Sequence, residues 1–184
     1  MTLHADVAAL LAGAAIIDVD VDEAVADGHV RSCAYRRVVQ VTAAARSRDG
    51  DRAIVAAILR DPDEMASKTA VVDLVDRIAR KATGAAEFRR WSAELLPETD
   101  RLTGESYREF IRGRVHDWLF YLSVEDGQVP TASELADVTY WMQRLLAEGS
   151  RSLPVLALLA ESGSERKIRN IAANRSRSRE PGTR

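Results

Sequence analysis

Apolar residues recur at three- and four-residue spacing from Ala53 to Ala172, with short polar turns between the runs. That period lines one side of successive α-helices, so it commits most of the chain to helix. Only 5% of the residues are aromatic, and Ala, Leu and Val supply most of the 46% hydrophobic content, a balance that favours closely packed helices over a β-sandwich. At 184 residues the chain fits one ordinary domain. The expected fold is all-α, an antiparallel stack of eight or nine helices in a single domain over residues 1–174.

Cys33 is the single cysteine, which excludes an internal disulfide. Residues 1–30 carry no Lys or Arg, so the basic start of a secretory signal is missing and a cytoplasmic location is expected. The apolar run from Val7 to Ile17 is shorter than the roughly 20 residues a bilayer requires, and no membrane partner is expected. A formal net charge of −2 conceals an asymmetry: six acids and no Lys or Arg lie in residues 1–30, against seven bases and Glu180 in residues 166–184. Such ends can attract an acidic partner, nucleic acid or each other, including head-to-tail self-association.

Helices are predicted over Leu3–Ile17, from the acidic stretch after Ile17 to about Arg46, and over Asp51–Arg60. Asp61-Pro62-Asp63 then stops one helix and starts the next, which runs to about Ala82. Ala85–Leu96 follows. The segment from Gly104 to Val124 carries two apolar stripes, one through Ile111, Val115 and Trp118, the other through Phe110, Phe120, Tyr121 and Val124. A helix apolar on two sides is expected either in the middle of a stack or with one stripe open to a partner. Thr131 and Glu134 have capping-box spacing and open a helix expected to reach Gly149. Two more helices, Leu153–Glu161 and Glu165 to about Asn174, precede an Arg/Ser-rich tail over 175–184 that has nothing to bury and is expected to be disordered.

Two segments resemble HEAT-type helical repeats. One is Ala53-Ile-Val-Ala-Ala-Ile-Leu-Arg-Asp-Pro-Asp, continuing through Lys68, Ala70 and Val72 to Leu74. The other is Leu153-Pro-Val-Leu-Ala-Leu-Leu-Ala-Glu-Ser-Gly, continuing through Arg166, Ile168, Arg169 and Ala172. In each, a short helix ends in an acidic or glycine turn and a second helix returns. Their starts lie about two and a half of the roughly 40-residue repeat units apart, and 84–150 follows the pattern poorly. The resemblance implies an α-solenoid or irregular helical stack with an extended binding surface, and implies no catalytic residues.

Chemistry-bearing residues are sparse. Asp18, Asp20 and Asp22 repeat the opening of a calcium loop, but Glu23 stands where the turn glycine is required and His29 where the bidentate Glu belongs, so they are expected to start a helix instead. His29 and Cys33 are four apart and can offer two ligands, with His4 and His116 elsewhere; zinc asks for three or four. Glu94, Glu98, Glu105 and Glu109 lack the Glu-x-x-His spacing of a di-metal bundle and are expected on solvated faces. No catalytic, metal or cofactor residue is therefore assigned. The expected function is non-catalytic recognition of another protein through a helical surface that includes Phe110, Phe120, Tyr121 and Tyr140, since exposed aromatics dominate interface energetics. The alternative from another class is nucleic-acid binding through Arg166, Lys167, Arg169, Arg175, Arg177 and Arg179; a helical enzyme with a scattered site is the third reading.

Overall fold

A computed structural model describes residues 2–178. These residues form α-helices joined by turns, with no strand among them. The all-α expectation holds. The helices are α1 (Leu3–Gly13), α2 (Val21–Ala26), α3 (Gly28–Ala44), α4 (Asp51–Ile58), α5 (Glu64–Ala79), α6 (Ala85–Leu95), α7 (Glu105–Glu125), α8 (Ala132–Ala136), α9 (Tyr140–Gly149), α10 (Leu153–Ser162) and α11 (Arg166–Arg177), with a 3-10 helix, Leu96–Arg101, after α6. None of them is long and apolar enough to cross a membrane.

Eleven α-helices among the described residues, against the eight or nine expected, arise from two splits with clear local causes. The segment after Ile17 breaks at Asp27, whose extended backbone ends α2 while its carboxylate accepts from the His29 and Val30 amides and caps α3. The helix expected over 131–149 breaks at Asp137–Thr139. The Thr131/Glu134 capping box is present, but Thr139 is extended and caps α9 by accepting from the Met142 amide. A continuous period in the side chains did not reveal these internal caps.

The chain divides into two compact units, Met1–Val115 and His116–Arg184. In the first, α3 packs on α5, and α1, α4 and α6 add Val7, Leu10, Val55, Ile58, Phe88 and Leu95 to a core with Tyr35, Val39, Val71 and Leu74. At its polar centre lies the carboxylate of Asp61. It accepts from Arg31 Nε at 2.6 Å, from the Tyr35 hydroxyl at 2.7 Å and from the Asp63 amide at 2.8 Å. Arg31 also donates to the Ala24 and Val25 carbonyls in the last turn of α2. Burial, reinforced by the hydrogen bond to Asp61, pushes the Tyr35 phenol well above its usual range. At the start of α7, Glu64 accepts from the Thr103 and Gly104 amides, and a Cβ at Gly104 would meet the Glu64 carboxylate at 2.9 Å.

In the second unit α10 and α11 pack along each other and on α9, around Leu135, Met142, Leu146, Leu156, Leu159 and Ile168. Here too buried polar groups close backbone ends. Asp117 accepts from the Thr139 amide and hydroxyl, and Gln143 donates to the Leu135 and Val138 carbonyls while accepting from the Ser164 amide. Gly163 turns the chain between α10 and α11 where a Cβ would lie 2.6 Å from the Leu159 carbonyl oxygen. α11 continues to Arg177, into the segment expected to be disordered; its register keeps Ile168 and Ala172 buried, and the last turn is held by its own Arg and Asn side chains. The rest of that expectation, from Arg179 on, lies outside the described residues.

Removing the Asp61 acceptor strands a nearly buried guanidinium and a buried phenol. Asp61→Ala should lower the unfolding free energy by about 3–5 kcal/mol, read from urea titration followed by circular dichroism, with Asp61→Asn less damaging because it keeps an acceptor. A loss below about 1 kcal/mol would place this pair with ordinary surface ion pairs.

Candidate functional site

Three helices of the first unit leave a gap between them. A cavity of about 580 Å³ is bounded by α1, α3 and α4 and lined mainly by apolar side chains. From α1 and its C-cap come Ala9, Leu10, Gly13 and Ala14; from α3 and its C-cap, Val38, Val41 and Ala45. With Asp6 and Thr42 the lining falls at i, i+3, i+4, i+7 on both helices, as Asp6, Ala9, Leu10, Gly13 and as Val38, Val41, Thr42, Ala45. α4 contributes Ala53, Ile54, Ala56 and Ala57. The small side chains explain why the space stays empty: alanine and glycine at these positions are too short to fill it. A Cβ at Gly13 or Gly50 would meet no atom within 4 Å. Val41, at the edge, is 44% exposed.

Polar groups lie at the two ends of α4. Beside its C-terminus Arg60 grips the Asp6 carboxylate through Nε, at 3.0 Å, and through Nη2. That hydrogen bonding holds the Asp6 carboxyl below its usual range, against a smaller opposing effect of burial. At the N-terminus Asp51 accepts from Trp91 Nε1 at 2.9 Å and Arg48 Nη1 at 3.2 Å. Burial pushes its carboxyl up, and those two donors offset only part of the rise. Within the groove the Thr42 hydroxyl donates to the Val38 carbonyl. Every buried side-chain nitrogen and oxygen among the described residues has a hydrogen-bond partner. The groove thus offers shape and apolar surface, with its charges already engaged.

The aromatic residues singled out in the sequence fall in two units. In the first, Phe110 is 47% exposed, with Lys68 Nζ 4.7 Å and Arg114 Cζ 5.7 Å from its ring centroid. In the second, Phe120 and Tyr121 are half-buried, and Tyr121 stacks edge-on against Trp118 at 5.4 Å. Tyr140 is 37% exposed at the first position of α9.

The basic residues divide by role. Arg169 donates to the Gly163 carbonyl and Arg175 to the Ala147 carbonyl, closing the ends of α10 and α9. Arg166 and Lys167 are exposed, and Arg177, also exposed, bonds within its own helix. Arg179 lies outside the described residues.

Among the metal candidates, Cys33 Sγ and His29 Nε2 are 3.9 Å apart and His4 sits 3.2 Å from Asp22. No group of three or more His, Cys, Asp or Glu side chains among the described residues is placed to hold a metal ion. Asp18 pairs with Arg37 and Asp20 caps α2. Glu98, expected on a solvated face, is buried between Arg52 and Arg101, each at 2.7 Å.

The groove itself escaped the sequence reading. Its signal was there in Ala9, Gly13, Ala53 and Ala57, small residues on apolar stripes, but small residues at helical spacing also mark tight internal packing. Compared with protein-family models, with curated proteins and with solved structures, the chain gives no match. What fold and groove define is a class: an all-α protein with a largely apolar groove walled by helices.

The two carboxylates at the ends of α4 give opposite pH signatures. For Asp51, whose folded value is raised, stability falls as pH climbs from about 3.9 through that raised value. For Asp6, whose folded value is lowered, stability is present above about 3.9 and lost as pH falls toward the lowered value. Stability measured from acid to neutral pH should therefore fall less with rising pH in Asp51→Asn than in the natural chain, whereas Asp6→Asn should show less acid loss. Parallel profiles for Asp51→Asn and the natural chain would mean that burial does not shift this carboxyl.

Proposed function

We propose that the chain is a non-catalytic recognition module, acting in the cytoplasm, that accepts an amphipathic helix of a partner protein between α1, α3 and α4. The apolar cavity of about 580 Å³ carries this reading. Its walls are helix stripes at heptad-like spacing, the complement of one more helix laid into a groove. α1 and α4 have eleven and eight residues, so the walls accommodate two to three turns of an incoming helix, about 12–16 Å at 1.5 Å per residue. Alanine and glycine walls permit close approach of its backbone. The HEAT-like pairs α4/α5 and α10/α11 are consistent with a helical scaffold, and the exposed Phe110 and Tyr140 extend the surfaces on which a partner can gain apolar contact.

The reading can be tested by a photo-crosslinking side chain at Ala53, inside the groove, and at Gln40, exposed on the opposite face of α3. Crosslinking in native lysate should join one protein to position 53 and not to position 40. Gly13→Trp, which places bulk in open space, should cut that capture about tenfold while the helical circular dichroism persists. Equal yields from both positions, or capture unaffected by Gly13→Trp, would remove the groove from the argument.

A further inference from the structure

The outward side of α11 is cationic along its whole length. At 100° per residue, Arg166, Lys167, Asn170, Asn174 and Arg177 fall within about 100° of arc, opposite the buried Ile168 and Ala172. All five are exposed, and the helix contains no acid. Arg169 and Arg175, to either side, turn to backbone carbonyls and so have structural work. The outward five do not: Arg166, Lys167 and Asn170 have no hydrogen-bond or ion-pair partner among the described residues, and Arg177 and Asn174 bond only within the helix.

Placement adds a second observation. Arg166 and Lys167 occupy the first turn of α11, where the helix dipole disfavours positive charge, and no acid in that turn compensates. Glu165, just before the helix, makes no side-chain cap. Two bases thus stand, next to the N-cap Glu165, at the end of the helix where positive charge adds nothing to its stability.

We propose that this face of α11 binds the phosphate backbone of duplex nucleic acid, without reading base sequence. Three bases over a helix of about 18 Å supply the charge, and the two Asn amides add hydrogen bonds of the kind that position proteins on phosphates and sugars. An acidic protein is the competing occupant; the regular spacing of phosphates along a duplex suits a straight row of bases and amides better than scattered carboxylates do. This surface is independent of the groove in the first unit, and each reading fails or stands alone.

The test is fluorescence anisotropy of the full chain with a labelled DNA duplex of about two helical turns, unlabelled polyglutamate serving as competitor. Binding is expected in the micromolar range, weakening about fortyfold from about 50 to about 200 mM salt if three phosphates are neutralised. Arg166→Ala/Lys167→Ala should lose about tenfold in affinity while its thermal midpoint stays level or rises, because the unfavourable charges at the helix start are gone. Asn170→Glu, which touches nothing buried, should weaken binding similarly and covers the case in which the double variant folds poorly. No binding by about 100 µM protein at low salt, affinity unchanged in both variants, or polyglutamate competing as well as duplex would each overturn the proposal.

Discussion

A single carboxylate, that of Asp61, fixes the first unit. It lies in the turn between α4 and α5 and receives a guanidinium, a phenol and a backbone amide. Isolated helices as short as α2 and α4, six and eight residues, are not stable in water. Their positions are therefore set by what grips their ends. Arg31 does so for α2, by closing its last carbonyls, and through Asp61 the same side chain binds the exit of α4 to α3. The groove has firm walls because α3 and α4 are tied at this point, and because Arg60 ties α4 again to α1 through Asp6.

The same device recurs at several other helix ends. Arg48 donates to the Thr42 and Ala45 carbonyls at the end of α3, and Lys81 to Ala43 beside them. Glu64 opens α7, Asp117 positions Thr139 at the head of α9, and Gln143 bridges α8 and α9. Each side chain satisfies backbone groups that a helix leaves unpaired at its termini. A chain built from many short helices has many such termini, and Arg31, Arg48, Arg169 and Arg175 each spend their charge on one. Charge at an individual position is for this reason a weak guide to partners in such a fold, and only the bases left over after the ends are closed carry that information.

The helical class was legible because period and composition act on every residue of the chain. Helix ends were legible where the capping residue stood next to a break in the apolar pattern, as at Thr131/Glu134 and Asp61-Pro62-Asp63. They were hidden at Asp27 and Thr139, where the pattern runs on across the cap and the decisive partner of Thr139, Asp117, is 22 residues away. Glu98 was misplaced for a related reason: its acid looks like a solvated face until Arg52, 46 residues earlier, is folded against it. Of the candidate surfaces, exposed Phe110 and Tyr140 were visible as aromatics. The groove was not, since emptiness is a property of three helices together and no one of them records it.

The separation in sequence of these side-chain ties differs between the two units. In the first, Asp6 meets Arg60 across 54 residues, Arg52 meets Glu98 across 46, and Arg31 meets Asp61 across 30. In the second, the ties span 22 residues from Asp117 to Thr139, 21 from Gln143 to Ser164 and 28 from Ala147 to Arg175. Loops that must close over longer stretches form later, because their entropy is lost before any contact rewards it. During synthesis the first unit emerges first, yet it cannot complete its latches until the ribosome has released Glu98. Every residue of the second unit follows Glu98 in the chain, so the first unit can set its long-range latches before the shorter loops of the second have been made.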